Sequence, residues 1–246
     1  MNQPLLRLKD VYFRYPESER FVLQGFNFSL SLGERVGIIG PNGEGKTTFL
    51  HICVGLLKPN KGDIFFKGRK IKKEKDLLEL RRTIGLVFQN PDDQLFSPTI
   101  LEDVAFGPLN LGLSKEEAKK RALWALELVG LNGMENRITN KLSAGEKRLL
   151  SLATIIAMKP QVMLLDEPTT GLAPETRERI ICLLNDLPMD LVIVSHDWDF
   201  LVRTTNNLYL LKDGQLIKKD MSILHKHKHV HPYGDIPHEH CDVYVI

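Results

Sequence analysis

Eight consecutive residues, Gly40-Pro41-Asn42-Gly43-Glu44-Gly45-Lys46-Thr47, carry the strongest chemical signal in the chain. They fit G-x-x-x-x-G-K-[ST], a pattern in which glycines let the backbone curl until successive N–H groups face phosphate oxygens. Lys46 is then placed to reach the β- and γ-phosphates of a nucleotide, the Thr47 hydroxyl to hold Mg²⁺, and Thr48 to follow them as a further contact. A second group stands far down the chain, where the apolar run Val162-Met163-Leu164-Leu165 ends in Asp166-Glu167. Asp166 at a strand end suits the magnesium shell. Glu167, one step further, suits orienting or deprotonating an attacking water.

These groups need a frame that brings them together. The run Val36-Gly37-Ile38-Ile39 enters the glycine-rich turn as a strand, and a helix is expected from about Lys46. Before it, Leu6, Leu8 and Val11 sit in one strand-like stretch, and Phe26, Phe28 and Leu30 alternate with Asn27 and Ser29, the period of two expected of a strand. Gly62 to Phe66 and Ile84 to Phe88 read as two more strands, and the basic run Lys67 to Lys75 between them reads as a solvated turn. Residues 91–145 read as a helical insertion. Ser114 and Glu117 form a capping box there, followed by Ala118, Ala122, Leu126 and Val129 at helical spacing. Ser143 to Glu146 repeats the capping pattern and opens a long apolar helix. After Pro160, buried strands are expected at Val162 to Leu165 and Leu191 to Val194, a helix from Pro174, and a hairpin over Asn207 to Lys218 turning at Asp213-Gly214. Short apolar runs separated by helices call for a parallel sheet covered on both faces, an α/β fold.

Composition narrows the class. With 43% hydrophobic and 26% charged residues, the 246-residue chain is neither disordered nor fibrous. Lysine plus arginine (33) nearly balance aspartate plus glutamate (31), so no global field draws in nucleic acid. No apolar run approaches the ~20 residues that cross a bilayer, and no signal peptide is visible. Three scattered cysteines suit a reduced cytoplasmic setting.

Leu142-Ser143-Ala144-Gly145-Glu146-Lys147-Arg148 resembles the signature of ABC-type ATPases, usually Leu-Ser-Gly-Gly-Gln followed by a basic residue. With Gln89 after a strand and Ser195-His196-Asp197 after the last buried strand, the resemblance covers about residues 5–218. It implies a P-loop ATPase core with a mostly parallel sheet, an N-terminal antiparallel β subdomain and an inserted α-helical subdomain. It also implies one ATPase domain over residues 1–220, with residues 221–246 a separate tail. ATP and Mg²⁺ are the expected cofactors. The resemblance makes Glu167 and His196 the catalytic pair, and Thr47, Gln89 and Asp166 the magnesium ligands. Tyr15 would stack on adenine, with Tyr12 the competing aromatic. Gly40 through Thr48 would wrap the phosphates, while Ser143, Ala144, Gly145 and Glu146 would complete the site of a second subunit in trans. Four positions depart from the family pattern. Glu44 puts a charge beside the phosphate cradle, Ala144 and Glu146 replace glycine and glutamine, and Ala173 stands where an aspartate usually bonds across the dimer.

Val87 to Phe96 and Glu102 to Pro108 resemble the energy-coupling-factor ATPases, which power uptake of cobalt, nickel or vitamins. That resemblance implies a transmembrane partner, a second ATPase subunit (a copy or a paralogue), and a place on the cytoplasmic face of the membrane. Six of the eight histidines, His225, His227, His229, His231, His238 and His240, fall in the tail with Cys241. Neutral imidazoles bind Ni²⁺ and Co²⁺ well, so the tail is a candidate metal buffer or sensor, against a plain solvated segment. The expected function is therefore the ATP-hydrolysing subunit of an importer, for cobalt or nickel in the first place and a vitamin in the second. A soluble ABC ATPase acting on nucleic acid would call for a second cassette or a basic arm. A metal-binding regulator with a vestigial nucleotide site would not need Lys46, Asp166 and Glu167 together.

Overall fold

The computed structural model describes residues 3–219. β1 (Leu6–Phe13) and β2 (Leu23–Leu30) pair antiparallel and bury Leu6, Leu8, Phe26, Phe28 and Leu30 with a period of two, while an irregularity at Asp10 (φ 48°) shifts the register so that Val11 is buried too. β3 (Arg35–Ile39) leads through the glycine-rich turn into α1 (Lys46–Cys53). β4 (Lys61–Phe66) and the two-residue β5 (Arg69–Lys70) complete a four-stranded sheet in the order β2-β1-β4-β5.

The basic run does more than turn. Lys67-Gly68 is the turn, but a helix, α2 (Glu74–Thr83), already begins at Glu74. Its start is fixed by Asp76 Oδ2, which accepts the Lys72 and Lys73 backbone N–H groups at 3.0 and 2.9 Å.

After β6 (Ile84–Val87) comes the helical insertion, α3 (Ile100–Asn110) and α4 (Lys115–Leu128), and then α5 (Ala144–Ile156). The capping boxes at Ser114/Glu117 and Ser143/Glu146 both form. The chain continues through β7 (Val162–Asp166), α6 (Pro174–Asp186), β8 (Asp190–Val194), α7 (Trp198–Thr204), β9 (Asn207–Lys212) and β10 (Gln215–Lys219). The hairpin between the last two strands turns on Asp213 and Gly214, both at positive φ.

The second sheet runs β10-β9-β3-β8-β7-β6, parallel except for β10. Strands β3, β6, β7 and β8 are buried on both faces. Val36, Ile38, Leu86, Leu164, Val192 and Val194 pack toward α1 and the antiparallel sheet, and Met163, Leu165, Leu191 and Ile193 toward α5, α6 and α7. This α/β architecture, with an antiparallel β sheet and an inserted helical unit, is the one the sequence called for. The carboxyl ends of β3, β8, β7 and β6 lie side by side, which is where ligands bind in open parallel sheets.

Candidate nucleotide site

Those four strand ends open into one cleft. The Gly40–Lys46 loop leaves β3, Asp166 ends β7, His196 follows β8, and Gln89 follows β6. Tyr15, Asn42, Lys46, Thr47, Thr48, Gln89, Asp166, Glu167 and His196 all line the cleft. Gly45 holds φ 95° as the residue capping α1, and an added Cβ would lie 2.5 Å from Val22 Cγ1, so glycine is required there.

Lys46 is 7% exposed, and its Nζ donates to the carbonyls of Gly40 (2.7 Å) and Pro41 (3.0 Å). Burial lowers its pKa, against the opposing pull of Glu167, Asp166 and Glu44. The ammonium therefore sits curled back on its own loop among carboxylates, ready to exchange carbonyls for phosphate oxygens.

Asp166 is 2% exposed, and burial raises its pKa, an effect the Thr47 hydroxyl opposes by hydrogen bonding and Glu167 reinforces. Its Oδ1 is buried without a hydrogen-bond partner. Glu167, also buried, holds a left-handed backbone at φ 45°, unusual for a residue with a side chain. Its Oε2 accepts from Thr170 Oγ1 at 3.1 Å and from the His196 N–H at 3.3 Å. Its Oε1 is likewise without a hydrogen bond, although His196 Nε2 approaches to 3.1 Å. That nitrogen is closer to Asn42 Oδ1, at 2.8 Å, and lies 3.3 Å from Lys46 Nζ.

Two buried carboxylate oxygens without a hydrogen bond, a hydroxyl and a buried ammonium are costly to bring together unless a cation and phosphate join them. They form a hard-oxygen donor set of the kind Mg²⁺ takes, beside a loop built for phosphate. The residues fit ATP with Mg²⁺.

Tyr15 stands at the cleft mouth, 43% exposed, with its hydroxyl 3.0 Å from Thr48 Oγ1 and its ring edge-on to Phe13. Tyr12 instead packs edge-on against Phe21 beside Gly25 and does not line the cleft. Glu44 turns away from the cradle, its Oε2 accepting the Asp213 N–H at 2.8 Å.

The structure does not bring Ser143, Ala144, Gly145 or Glu146 into this cleft. Ser143 caps α5 through the Glu146 N–H, and Ala144 lines an adjacent groove with Asp92, Lys147 and Leu172. Gln89 borders both spaces. Ala173 caps α6 with no side-chain acceptor. The tail residues His225, His227, His229, His231, His238, His240 and Cys241 lie outside the described residues, and among those described no cluster of three or more histidines, cysteines or carboxylates could hold a metal.

Two arginines that sequence reasoning did not weigh belong to the surroundings of the site. Arg148, 3% exposed, grips the carbonyls of Phe88 (2.8 Å) and Gln89 from α5. Arg177 holds Asp197, the neighbour of His196, by a two-pronged ion pair. Arg148 stands in the signature stretch, where its basic type was the available signal. Nothing local marks Arg177.

The family model described as "ABC transporter" matches residues 23–170. A putative ABC transporter ATP-binding protein of Nitratidesulfovibrio vulgaris is 48% identical over 237 residues, 96% of this chain and 86% of that one. The energy-coupling factor transporter ATP-binding protein EcfA of Methanocaldococcus jannaschii is 49% identical over 220 residues, 87% of this chain and 78% of that one. Among solved structures, cbiO1 of Clostridium perfringens, described as part of the ABC transporter complex cbiONQ, superposes with TM-score 0.77 at 35% identity, covering 88% of each chain. A dimeric ATP-binding cassette bound to ADP and phosphate superposes with TM-score 0.80 at 32% identity, covering 88% of this chain and 98% of that one. With the cleft built as described, these similarities are decisive: the chain belongs to the ABC transporter family, among ATP-binding subunits of the energy-coupling-factor type.

Proposed function

We propose that this chain is the ATP-hydrolysing motor of a membrane importer, closing as a dimer around ATP and Mg²⁺ and passing that motion to a transmembrane subunit. The observation that carries this reading is the pair of buried oxygens without a hydrogen bond, Asp166 Oδ1 and Glu167 Oε1, in the same cleft as Lys46 at the carboxyl end of the sheet. Thr47, Asp166 and Gln89 would hold Mg²⁺, which when bound screens the phosphate charge. Gly40 through Thr48 cradle the phosphates through backbone N–H groups, Glu44 by its backbone alone, and Tyr15 offers its face to adenine. Glu167 orients and deprotonates the attacking water, and His196, already beside Lys46 and Asn42, contacts the γ-phosphate. Ser143, Ala144, Gly145 and Glu146 stand outside their own cleft, as residues that complete a partner's site would.

The partner ATPase is a second copy or a paralogue, and the pair sits on the cytoplasmic face of the membrane. The cargo is nickel or cobalt, a reading supported by the energy-coupling-factor resemblance and by the composition of the histidine-rich tail. A vitamin is the second reading, supported by the same resemblance alone.

The test is Glu167→Gln, which keeps shape but removes the charge that activates water. ATP binding should persist while steady-state turnover falls by ~10²-fold or more. The same variant should form an ATP-dependent dimer by light scattering, and Ser143→Arg should abolish it. Turnover close to that of the unsubstituted chain would overturn the role of Glu167.

A further inference from the structure

Beside the cleft, an ion network joins the beginning of α6 to the beginning of α7. Arg177 Nε donates to Asp197 Oδ2 at 2.6 Å and Nη2 to Asp197 Oδ1 at 2.9 Å, a bidentate fork. The same Nη2 reaches Asp199 Oδ2 at 2.6 Å, and Nη1 reaches Glu178 Oε1 at 2.9 Å. The Arg177 and Asp197 side chains are only 20% and 30% exposed, so the pair is partly shielded from the screening that makes surface pairs weak.

Asp197 is held on every other side as well. Its Oδ1 caps α7 through the Phe200 N–H at 3.0 Å, and its own N–H donates to Ser195 Oγ at 3.1 Å. The residue before it is His196, whose ring meets Asn42, Lys46 and Glu167. Arg177 also stands where α6 closes its first turn. Its backbone N–H donates to the Ala173 carbonyl at 3.1 Å, at the end of the loop that begins with Thr170, a hydrogen-bond partner of Glu167.

We infer that Arg177 is the positioning residue of His196. By fixing Asp197 it sets where the imidazole stands in the cleft, and by its seat on the first turns of α6 it ties that position to the loop ending at Ala173. The inference rests on the reading of His196 as a γ-phosphate contact. A loop that shifts at a subunit interface would then move the histidine through one rigid ion pair rather than through side-chain packing. Lysine cannot replace this fork, because a single ammonium makes no bidentate contact with a carboxylate.

The experiment is a double-mutant cycle on the full chain, with kcat, KM for ATP and thermal stability measured for each variant. His196→Ala should lower kcat about tenfold or more, and Arg177→Met should lower it to a similar degree with KM little changed. Arg177→Met in the His196→Ala background should then cost nothing further. Asp197→Asn keeps the α7 cap but loses the ion pair, so it should reproduce the Arg177→Met effect even if the methionine variant folds poorly. Arg203→Met breaks the neighbouring pair with Glu178; Arg203 acts on Asp197 through space but makes no hydrogen bond to it, so this variant should lower stability with kcat little changed. Additive losses of Arg177→Met and His196→Ala would overturn the inference, and so would full kcat in Asp197→Asn. Full kcat in His196→Ala would overturn the role of His196 itself and this inference with it.

Discussion

Glu44 Oε2 accepts the backbone N–H of Asp213 at 2.8 Å, so the carboxylate that breaks the usual small-residue pattern of the phosphate loop is spent on the β9–β10 hairpin turn. The charge still reaches Lys46 through space, but the carboxylate does not face the cradle. Glu44→Gln keeps an acceptor for Asp213 and removes the charge. Its KM for ATP should fall, by no more than about threefold, because a screened charge turned from the cleft repels phosphate weakly. Glu44→Ala should in addition lose about 1 kcal/mol of stability with the hydrogen bond. A tenfold fall in KM for the glutamine variant would mean that the carboxylate faces the phosphates after all.

Asp166 trades stability for function. Burial holds its carboxyl above the ordinary range, from a reference near 3.8, so the folded state favours the neutral form. The sign follows directly. The penalty is absent below the unfolded pKa and complete above the folded one, so it weighs on the protein at neutral pH. Asp166→Asn should therefore raise the melting temperature near pH 7 in the absence of nucleotide and metal. The gain should shrink as the pH falls toward the unfolded reference near 3.8, below which the penalty is absent. ATP turnover should fall by ~10²-fold or more, since the asparagine supplies no charge for the metal. A variant less stable than wild type at neutral pH would show that the Thr47 and Lys46 interactions outweigh the burial.

Ala173 leaves α6 without a side-chain cap, at an extended backbone position (φ −63°, ψ 150°) that aspartate adopts readily, with Pro174 already at the first helical position. Ala173→Asp should stabilise the chain by about 1 kcal/mol, a rise of roughly 2–4 °C in melting temperature. If the same carboxylate also bonds across a dimer, Ala173→Asp combined with Glu167→Gln should shift ATP-dependent dimerisation to lower protein concentration. An unchanged melting temperature would show that the α6 N-terminus gains nothing from an aspartate there.

The strands, capping boxes and phosphate loop were legible because each is local: period two in β2, serine followed three residues later by glutamate at Ser114 and Ser143, and glycines before Lys46. α2 was not legible. It buries Leu80 and Thr83, carries Lys75 and Arg82 outward and turns Arg81 back onto the Val54 and Gly55 carbonyls, so charge hid its helical period. α7 is short and shows itself only by its Asp197 cap. What sequence cannot display is pairing at long range. Glu44 with Asp213 and Asn42 with His196 depend on strand order, which places β3 between β8 and β9 although they are far apart in the chain, and Arg177 with Asp197 depends on how α6 and α7 pack around β8. The choice of Tyr15 over Tyr12 is of the same kind. Both lie in or just beyond β1, and only the path of the chain after Phe13 puts one of them beside Thr48.

The histidine-rich tail gives the last expectation, one that depends on chemistry rather than on placement. His225, His227, His229 and His231 alternate in the sequence, with His238, His240 and Cys241 following within ten residues. Only neutral imidazole ligates, so Ni²⁺ or Co²⁺ should bind more tightly at about pH 7.5 than at about pH 5.5, across the ordinary histidine pKa. Titration calorimetry on the full chain and on a chain ending at Met221 separates the tail from the rest. Binding by the full chain alone would assign the metal to the tail, whereas equal binding by both chains, or by neither, would remove it. ATP turnover should be unaffected by the truncation in every case, because the cleft closes with His196 and the hairpin that receives Glu44 is complete by Lys219.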